Sequence, residues 1–250
     1  MKTLTSLFRP ALFALALPAT LAFSACGNDD DNNSTPMPDQ GKVQIVHAAA
    51  AANTQVSAVF DSQQAGQLTY GQNTGYVGVG VGTPSLRIVN GSNTTVATQQ
   101  VAIAKDQNYS AFVYSPTATI GSASLLFVTD NLTAPASNQA KVRVVHLAVG
   151  APSPVRLTAP SALAGGTSTD LTPDVAFGAA SDFVTINAGP YSLSITGGNP
   201  RSQILAVGDG TGSGTKTYEG GKIYTIVVRG IVGAGVPTDQ QPKAVIVSNN

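Results

Sequence analysis

The hexapeptide Lys42-Val43-Gln44-Ile45-Val46-His47 returns as Lys141-Val142-Arg143-Val144-Val145-His146, and the segments behind each copy return with it. Tyr70-Gly71 and Tyr76-Val77 answer Phe177-Gly178 and Phe183-Val184. Ser85-Leu86-Arg87-Ile88 answers Ser192-Leu193-Ser194-Ile195, Tyr109 to Val113 answers Tyr224 to Val228, and Phe127 to Asn131 answers Ile246 to Asn250. A repeat of roughly 100 residues sets the domain count at two, each of ordinary single-domain size. The interval from Tyr70 to Leu86 equals that from Phe177 to Leu193 at 16 positions, so this block is read as scaffold. The second copy is longer in Gly/Ser/Thr-rich stretches such as Leu163–Ser168, Asp209–Gly214 and Gly230–Gly235, where surface loops tolerate growth.

Within each copy the pattern is that of strands. Val43, Ile45 and His47 alternate with Gln44 and Val46, and Leu193 and Ile195 alternate with Ser194 and Thr196. These period-2 runs are broken by Gly, Pro and Asn, with turn signals at Asn90-Gly91 and Gly197-Gly198-Asn199. Charged residues make up only 10% of the chain, and few windows carry a helical period. The expected fold is all-β: two tandem antiparallel β-sandwich domains, immunoglobulin-like, behind a signal peptide and a disordered tether.

The one cysteine, Cys26, follows a short basic segment (Lys2, Arg9) and an apolar run from Pro10 to Phe23. That run is shorter than the ~20 residues a bilayer span needs. Phe23-Ser24-Ala25-Cys26 reads as a lipobox, with phenylalanine where the pattern has leucine, and Cys26 as the acylated residue. Ordinary secretion with cleavage after Ala22 or Ser24 is the alternative. A lone cysteine allows no intramolecular disulfide, so packing alone must hold the fold. The polar, acidic stretch Gly27–Gly41 buries too little surface to order itself and acts as a tether of roughly 20 Å average reach. Gly27 behind the cysteine, by resemblance to lipoprotein sorting rules, directs the protein to the outer membrane, and the acidic run resembles a surface-export signal. The boundaries are therefore 1–25 signal peptide, 26–41 tether, 42–131 first domain, 132–139 linker and 140–250 second domain. Loss of Lys2 and Arg9 leaves 11 basic and 13 acidic residues, which excludes the basic footprint of nucleic-acid binding.

No constellation of catalytic residues emerges. His47 and His146 share strand faces with apolar neighbours and lack Cys, His or Glu partners nearby, so they are read as buried structural groups. There is no Gly-x-Ser-x-Gly elbow, and the glycine-rich Gly208–Gly212 has no helix behind it to cradle a phosphate. Glu219 is the single glutamate, which argues against paired carboxylates for sugar cleavage. No metal ligands, cofactor-binding residues or cofactor are expected. Candidate binding residues are Asp209, Tyr218 and Arg229, with Tyr114 and Tyr191 beside them. The long loops 199–217 and 230–242 of the second domain are the candidate recognition surface, with 207–215 as the segment to delete.

The opening Val-x-(Ile/Val)-Val-His, the Tyr/Phe-Gly block before Ser-Leu-x-Ile, and the late strands at Lys105–Tyr109 and Gly220–Tyr224 resemble the domain of unknown function 4397 family, over about 42–131 and 140–250. Where that family often has a Ser-Pro-Asp-Ala-Pro-like stretch after the histidine, this chain has Ala48–Ala52 and Leu147–Pro152. The resemblance implies strand architecture, tandem occurrence and an extracytoplasmic, often lipid-anchored setting. It implies no activity. The expected function is that of a non-enzymatic, lipid-anchored envelope protein displaying two domains for binding or scaffolding. Its partners would be the membrane, through lipid on Cys26, and an extracellular or periplasmic protein or glycan. A hydrolase on a sandwich scaffold is the alternative.

Overall fold

Each copy of the repeated hexapeptide lies in a strand at the middle of a sheet. The structure is a computed structural model describing residues 38–160 and 168–250. The expected signal segment 1–25, Cys26, most of the expected tether and the 161–167 part of one lengthened loop lie outside the described residues. The first half contains β1 (Gln40–Ala48), β2 (Val56–Phe60), β3 (Gln63–Leu68), β4 (Asn73–Gly80), β5 (Ser85–Asn90), β6 (Thr95–Gln100), β7 (Asn108–Tyr114) and β8 (Ser124–Asp130). The second contains β9 (Gln139–Val149), β10 (Val155–Ala159), β11 (Thr169–Asp170), β12 (Ala179–Ala180), β13 (Val184–Asn187), β14 (Gly189–Tyr191), β15 (Ser194–Gly197), β16 (Ser202–Ala206), β17 (Lys216–Tyr218), β18 (Ile223–Ile231) and β19 (Lys243–Ser248).

The fold is all-β, built from several small sheets. In the first half the sheets run β4-β1-β7-β8 and β3-β2-β5-β6. In the second they run β12-β9-β18-β19, with β13 also on β9, and β11-β10-β15-β16, with a β14-β17 ribbon beside them. Val43, Ile45, Ala58, Leu86, Ile88, Ala111 and Val113 fill the space between the first pair of sheets. Val142, Val144, Leu157, Leu193, Ile195 and Ile226 do the same in the second half. The alternation in the repeat produces these cores, since every other side chain of β1 and β9 points the same way.

The opposite faces of β1 and β9 are buried as well. Val46, Ala48 and Phe112 from the first half pack on Val145, Leu147, Val227 and Val247 from the second. Residues Pro38–Asn250 accordingly form one compact unit. Fully burying side chains of this size contributes about 1.5–3 kcal/mol each.

The structure corrects four details of the sequence reading. The sheets are mixed: β1 pairs in parallel with β7, and β9 with β18. A parallel neighbour needs a long crossover, and here the whole outer sheet of each half, β2-β3-β5-β6 in the first, lies between the two strands in sequence. The tether ends earlier than 41, because Gln40 and Gly41 already pair with Gly80 and Val79. The linker ends at 138, because Gln139 pairs with Asn187. The candidate loops contain strand: 199–217 includes β16, and 230–242 begins inside β18. Among the described residues no helix is long and apolar enough to cross a membrane.

Candidate functional site

Contacts between the two halves exchange corresponding positions, the relation made by an approximate twofold axis along the strands. Register makes Gln44 the counterpart of Arg143, since they sit opposite Ser110 and Thr225 in the parallel pairs. It makes Asp130 the counterpart of Asn249, since each follows the residue opposite Tyr109 or Tyr224. Arg143 of the second half reaches Asp130 of the first at 2.7 Å, and Gln44 of the first meets Asn249 of the second at 3.3 Å. Farther along the strands the relation repeats. The Arg229 guanidinium lies 4.1 Å over the Tyr70 ring, and its counterpart Tyr114 packs edge-on against Phe177, the counterpart of Tyr70, at 5.9 Å. Each of these aromatic rings also meets a histidine edge-on: His47–Tyr70 at 5.9 Å and His146–Phe177 at 5.7 Å. The glycine that follows is needed at both places. Gly71 (φ 92°) donates its N–H to the His47 carbonyl, and a Cβ there would sit 2.8 Å from Arg229 Nη2. Gly178 (φ 76°) does the same at His146, facing the Tyr114 hydroxyl.

Arg143 and Asp130 are buried, their side chains 2% and 0% exposed, and they sit in a closed ring of hydrogen bonds. Arg143 Nη2 donates to Ser110 Oγ at 3.0 Å, and Ser110 Oγ donates to Asp130 Oδ2 at 2.6 Å. Arg143 Nε donates to Thr225 Oγ1, which donates to Asn249 Oδ1 at 2.7 Å. Asn249 Nδ2 donates to the Tyr76 hydroxyl at 2.9 Å, and that hydroxyl donates to Asp130 Oδ2 at 2.5 Å. The guanidinium also stacks 4.3 Å over Phe183. Burial pushes the Arg143 pKa down and the Asp130 carboxylate opposes it, so the guanidinium stays charged. Burial, then the neighbouring Asp130 carboxylate, push the Tyr76 phenol up.

At the opposite end of the axis the loops after β1, β7 and β18 come together. Ala51, Asn53 and Ile120 of the first half and Ile231, Val236 and Pro237 of the second line a depression of about 470 Å³. Ile120 is 95% exposed, yet its loop is pinned: Ala51 N donates to Ser115 Oγ at 2.9 Å, and Gly121 N donates to the Ala51 carbonyl at 2.8 Å. The second-half loop is tied by Ile231 N to the Gln240 carbonyl and by Gln241 Nε2 to the Val236 carbonyl, and Asn53 Nδ2 bonds Asp239 Oδ2 across the halves at 2.9 Å. Chain direction places this end away from Gln40 by the length of β1, roughly 26 Å at ~3.3 Å per residue.

Only part of the loop surface expected from sequence takes part. The 230–242 loop forms one wall of the depression. Asp209 is exposed elsewhere, accepting from Thr211 N and Oγ1 at 2.9 and 2.7 Å, and those bonds lower its pKa. The 207–215 segment opens on Val207, which is buried in the second core, so deleting it would open a cavity as well as remove a loop. Tyr218 is not a surface residue. It is 0% exposed on β17, edge-on to Tyr191 and Tyr224 at 6.0 and 5.2 Å, because pairing with Gly189 turns its ring inward. Arg229 lies within β18, half-buried over Tyr70 between the halves, and is not on a free loop. The Ile120 loop was missed because it is the shorter of the two copies and carries no charge, only an aliphatic side chain at a turn.

Both histidines are fully buried. The His47 Nε2 contacts the Thr54 carbonyl at 3.0 Å and its Nδ1 accepts from Ala49 N at 3.3 Å. The His146 ring nitrogens have no partner at hydrogen-bonding geometry, although the Pro152 carbonyl acts on the ring. Burial is the largest cause lowering both pKa values, opposed at His47 by the Thr54 carbonyl and at His146 by that of Pro152. An imidazole whose folded pKa is depressed is neutral when folded and takes a proton when unfolded, so its stability contribution is complete above about pH 6.5 and is lost below it, by up to ~1.4 kcal/mol per pH unit per histidine. Urea midpoints should therefore fall between pH 7.5 and 5.5, and His146→Phe should flatten the slope. An unchanged slope would mean that His146 is protonated in the folded state. Among the described residues no cluster of His, Cys, Asp and Glu could hold a metal ion.

Sheets, core and site define an all-β protein with a composite loop end. Residues 41–154 match the family model of DUF4397, a domain of unknown function, so the match takes in the first half and the opening strand of the second. No curated protein matches the chain. Among solved structures it is similar to the Bacillus anthracis TIE protein (9% identity, TM-score 0.24), covering 76% of this chain and 34% of that one. It is also similar to a leucine-rich repeat protein from Bacteroides thetaiotaomicron (11%, 0.19), covering 79% and 26%. A candidate cell adhesion protein from Bacteroides eggerthii (11%, 0.25) is covered to 96%, over 84% of this chain. The chain thus spans about a third and a quarter of the first two proteins. Similarity at this level fixes neither topology nor activity.

Proposed function

We propose that this is a lipid-anchored protein of the bacterial envelope, fastened through Cys26, and that its work is recognition rather than bond breaking. The second half is a second copy of the DUF4397 module, and each half is an immunoglobulin-like sandwich. The observation that carries the reading is the pinned, exposed Ile120 beside a depression built by both halves, at the end opposite the point where the chain enters β1. Ile120 adjoins Ala51, Ile231, Val236 and Pro237, so the exposed apolar surface is continuous across both halves, and preordering of the loop lowers the cost of binding. The ligand is an extracellular or periplasmic protein or glycan surface with an apolar contact point. The chain, with 13 basic and 13 acidic residues, carries no basic excess to suit nucleic acid.

Two measurements test the reading. Mass spectrometry of the mature protein should find lipid on Cys26, and Cys26→Ser should release the protein from the membrane fraction. Unmodified Cys26 would remove the anchor. Partners captured on intact protein should be lost with Ile120→Asp, by about tenfold or more if the contact is a central one worth over ~1.4 kcal/mol, with the melting temperature unchanged. Full capture by the variant would remove the loop end as the site.

A further inference from the structure

The centre of the interface between the halves carries one ion pair and one amide pair at positions the twofold makes equivalent. We infer that Asp130/Arg143 and Gln44/Asn249 are a pairing code: the β1-β7-β8 face of the first half accepts the β9-β18-β19 face of the second and rejects a copy of itself. The inference stands apart from the proposed ligand-binding role.

The apolar part of the face cannot discriminate. Val46, Ala48 and Phe112 in one half correspond to Val145, Leu147 and Val227 in the other, so any combination of faces would bury a similar surface. The polar positions differ: the buried Gln44/Arg143 and Asp130/Asn249 at one end, and the half-buried Tyr114/Arg229 toward the far loops. First half on second sets Arg143 against Asp130 and Gln44 against Asn249, with net charge zero and both pairs hydrogen-bonded. First on first would set Gln44 against Asp130 twice, burying two carboxylates with no cation. Second on second would set Arg143 against Asn249 twice, burying two guanidinium groups with no anion. One uncompensated buried charge weakens such docking by roughly 10²-fold or more. A chain whose two halves present nearly the same sticky face needs this, because wrong docking between chains links copies into oligomers.

The test uses the full-length chain, refolded from urea at high concentration and sized by light scattering. Asp130→Asn/Arg143→Gln removes the buried charges from the centre of every docking mode and leaves Arg229, half-buried toward the far loops, unchanged. It should keep a melting temperature within a few degrees of the wild type and yield dimers and larger species that the wild type does not form. A neutral variant that refolds to the same species as the wild type overturns the proposal. The exchange variant Gln44→Arg/Asn249→Asp/Arg143→Gln/Asp130→Asn moves the ion pair to the equivalent place. It should refold as the wild type does, and oligomers or failure to fold would overturn the proposal even if the neutral variant proves insoluble.

Discussion

Asp130→Leu is expected to lower the unfolding free energy by about 3–5 kcal/mol, the range for removing one partner of a buried ion pair. The carboxylate accepts from Ser110 and Tyr76 and faces the Arg143 guanidinium, so its loss strands a buried cation and two hydroxyls together. The Arg143 guanidinium also lies over the Phe183 and Phe112 rings. Chemical denaturation at pH 7.5 measures the effect, and a change under ~1 kcal/mol would give the pair no more weight than a surface salt bridge. Adding Arg143→Met should recover much of the loss, since an apolar pair of similar volume is often as stable as a buried ionic one.

Ile88→Ala and Ile195→Ala come next in size, each expected to cost about 2–5 kcal/mol from lost burial and the cavity left behind. The two residues occupy the same place in the two outer sheets, and both are fully buried. The informative part is the shape of the transition. Phe112, Val145, Leu147 and Val227 join the halves through a third apolar cluster, so a cavity in either half should lower the melting temperature of the whole. Calorimetry should show one shifted peak for each variant. A peak that splits, with one half melting at the wild-type temperature, would show that the interface contributes too little to couple them.

The strands, turns and outer cores were legible because alternation and punctuation are local signals. Asn90-Gly91 does separate β5 from β6, and Val43 and Ile45 do face the core the alternation assigned them. The burial of the histidines followed from the same parity. The interface was not read, although its mark is present: Val144-Val145 and Ile226-Val227-Val228 are apolar on successive residues, as strands covered on both faces are. Gln44 and Arg143 concealed it, since a polar residue between two apolar ones reads as solvent-facing. Their partners, Asn249 and Asp130, lie far away in sequence, and nothing local announces that a charge will be met across the interface between the halves. Tyr218 misled for the opposite reason. An aromatic residue between a threonine and a glutamate reads as exposed, and only the pairing of β17 with β14 turns it inward.

The place of β1 between β4 and β7 has a mechanical side. Tension arriving from the chain ahead of Gln40 and balanced at the far loops would run along β1, across its perpendicular antiparallel bonds to β4 and its slanted parallel bonds to β7. Those bonds would then share the load at once instead of parting one after another from an end. Pulled along that line, the chain would yield first in its loops, and its first strand would be among the last parts to slip.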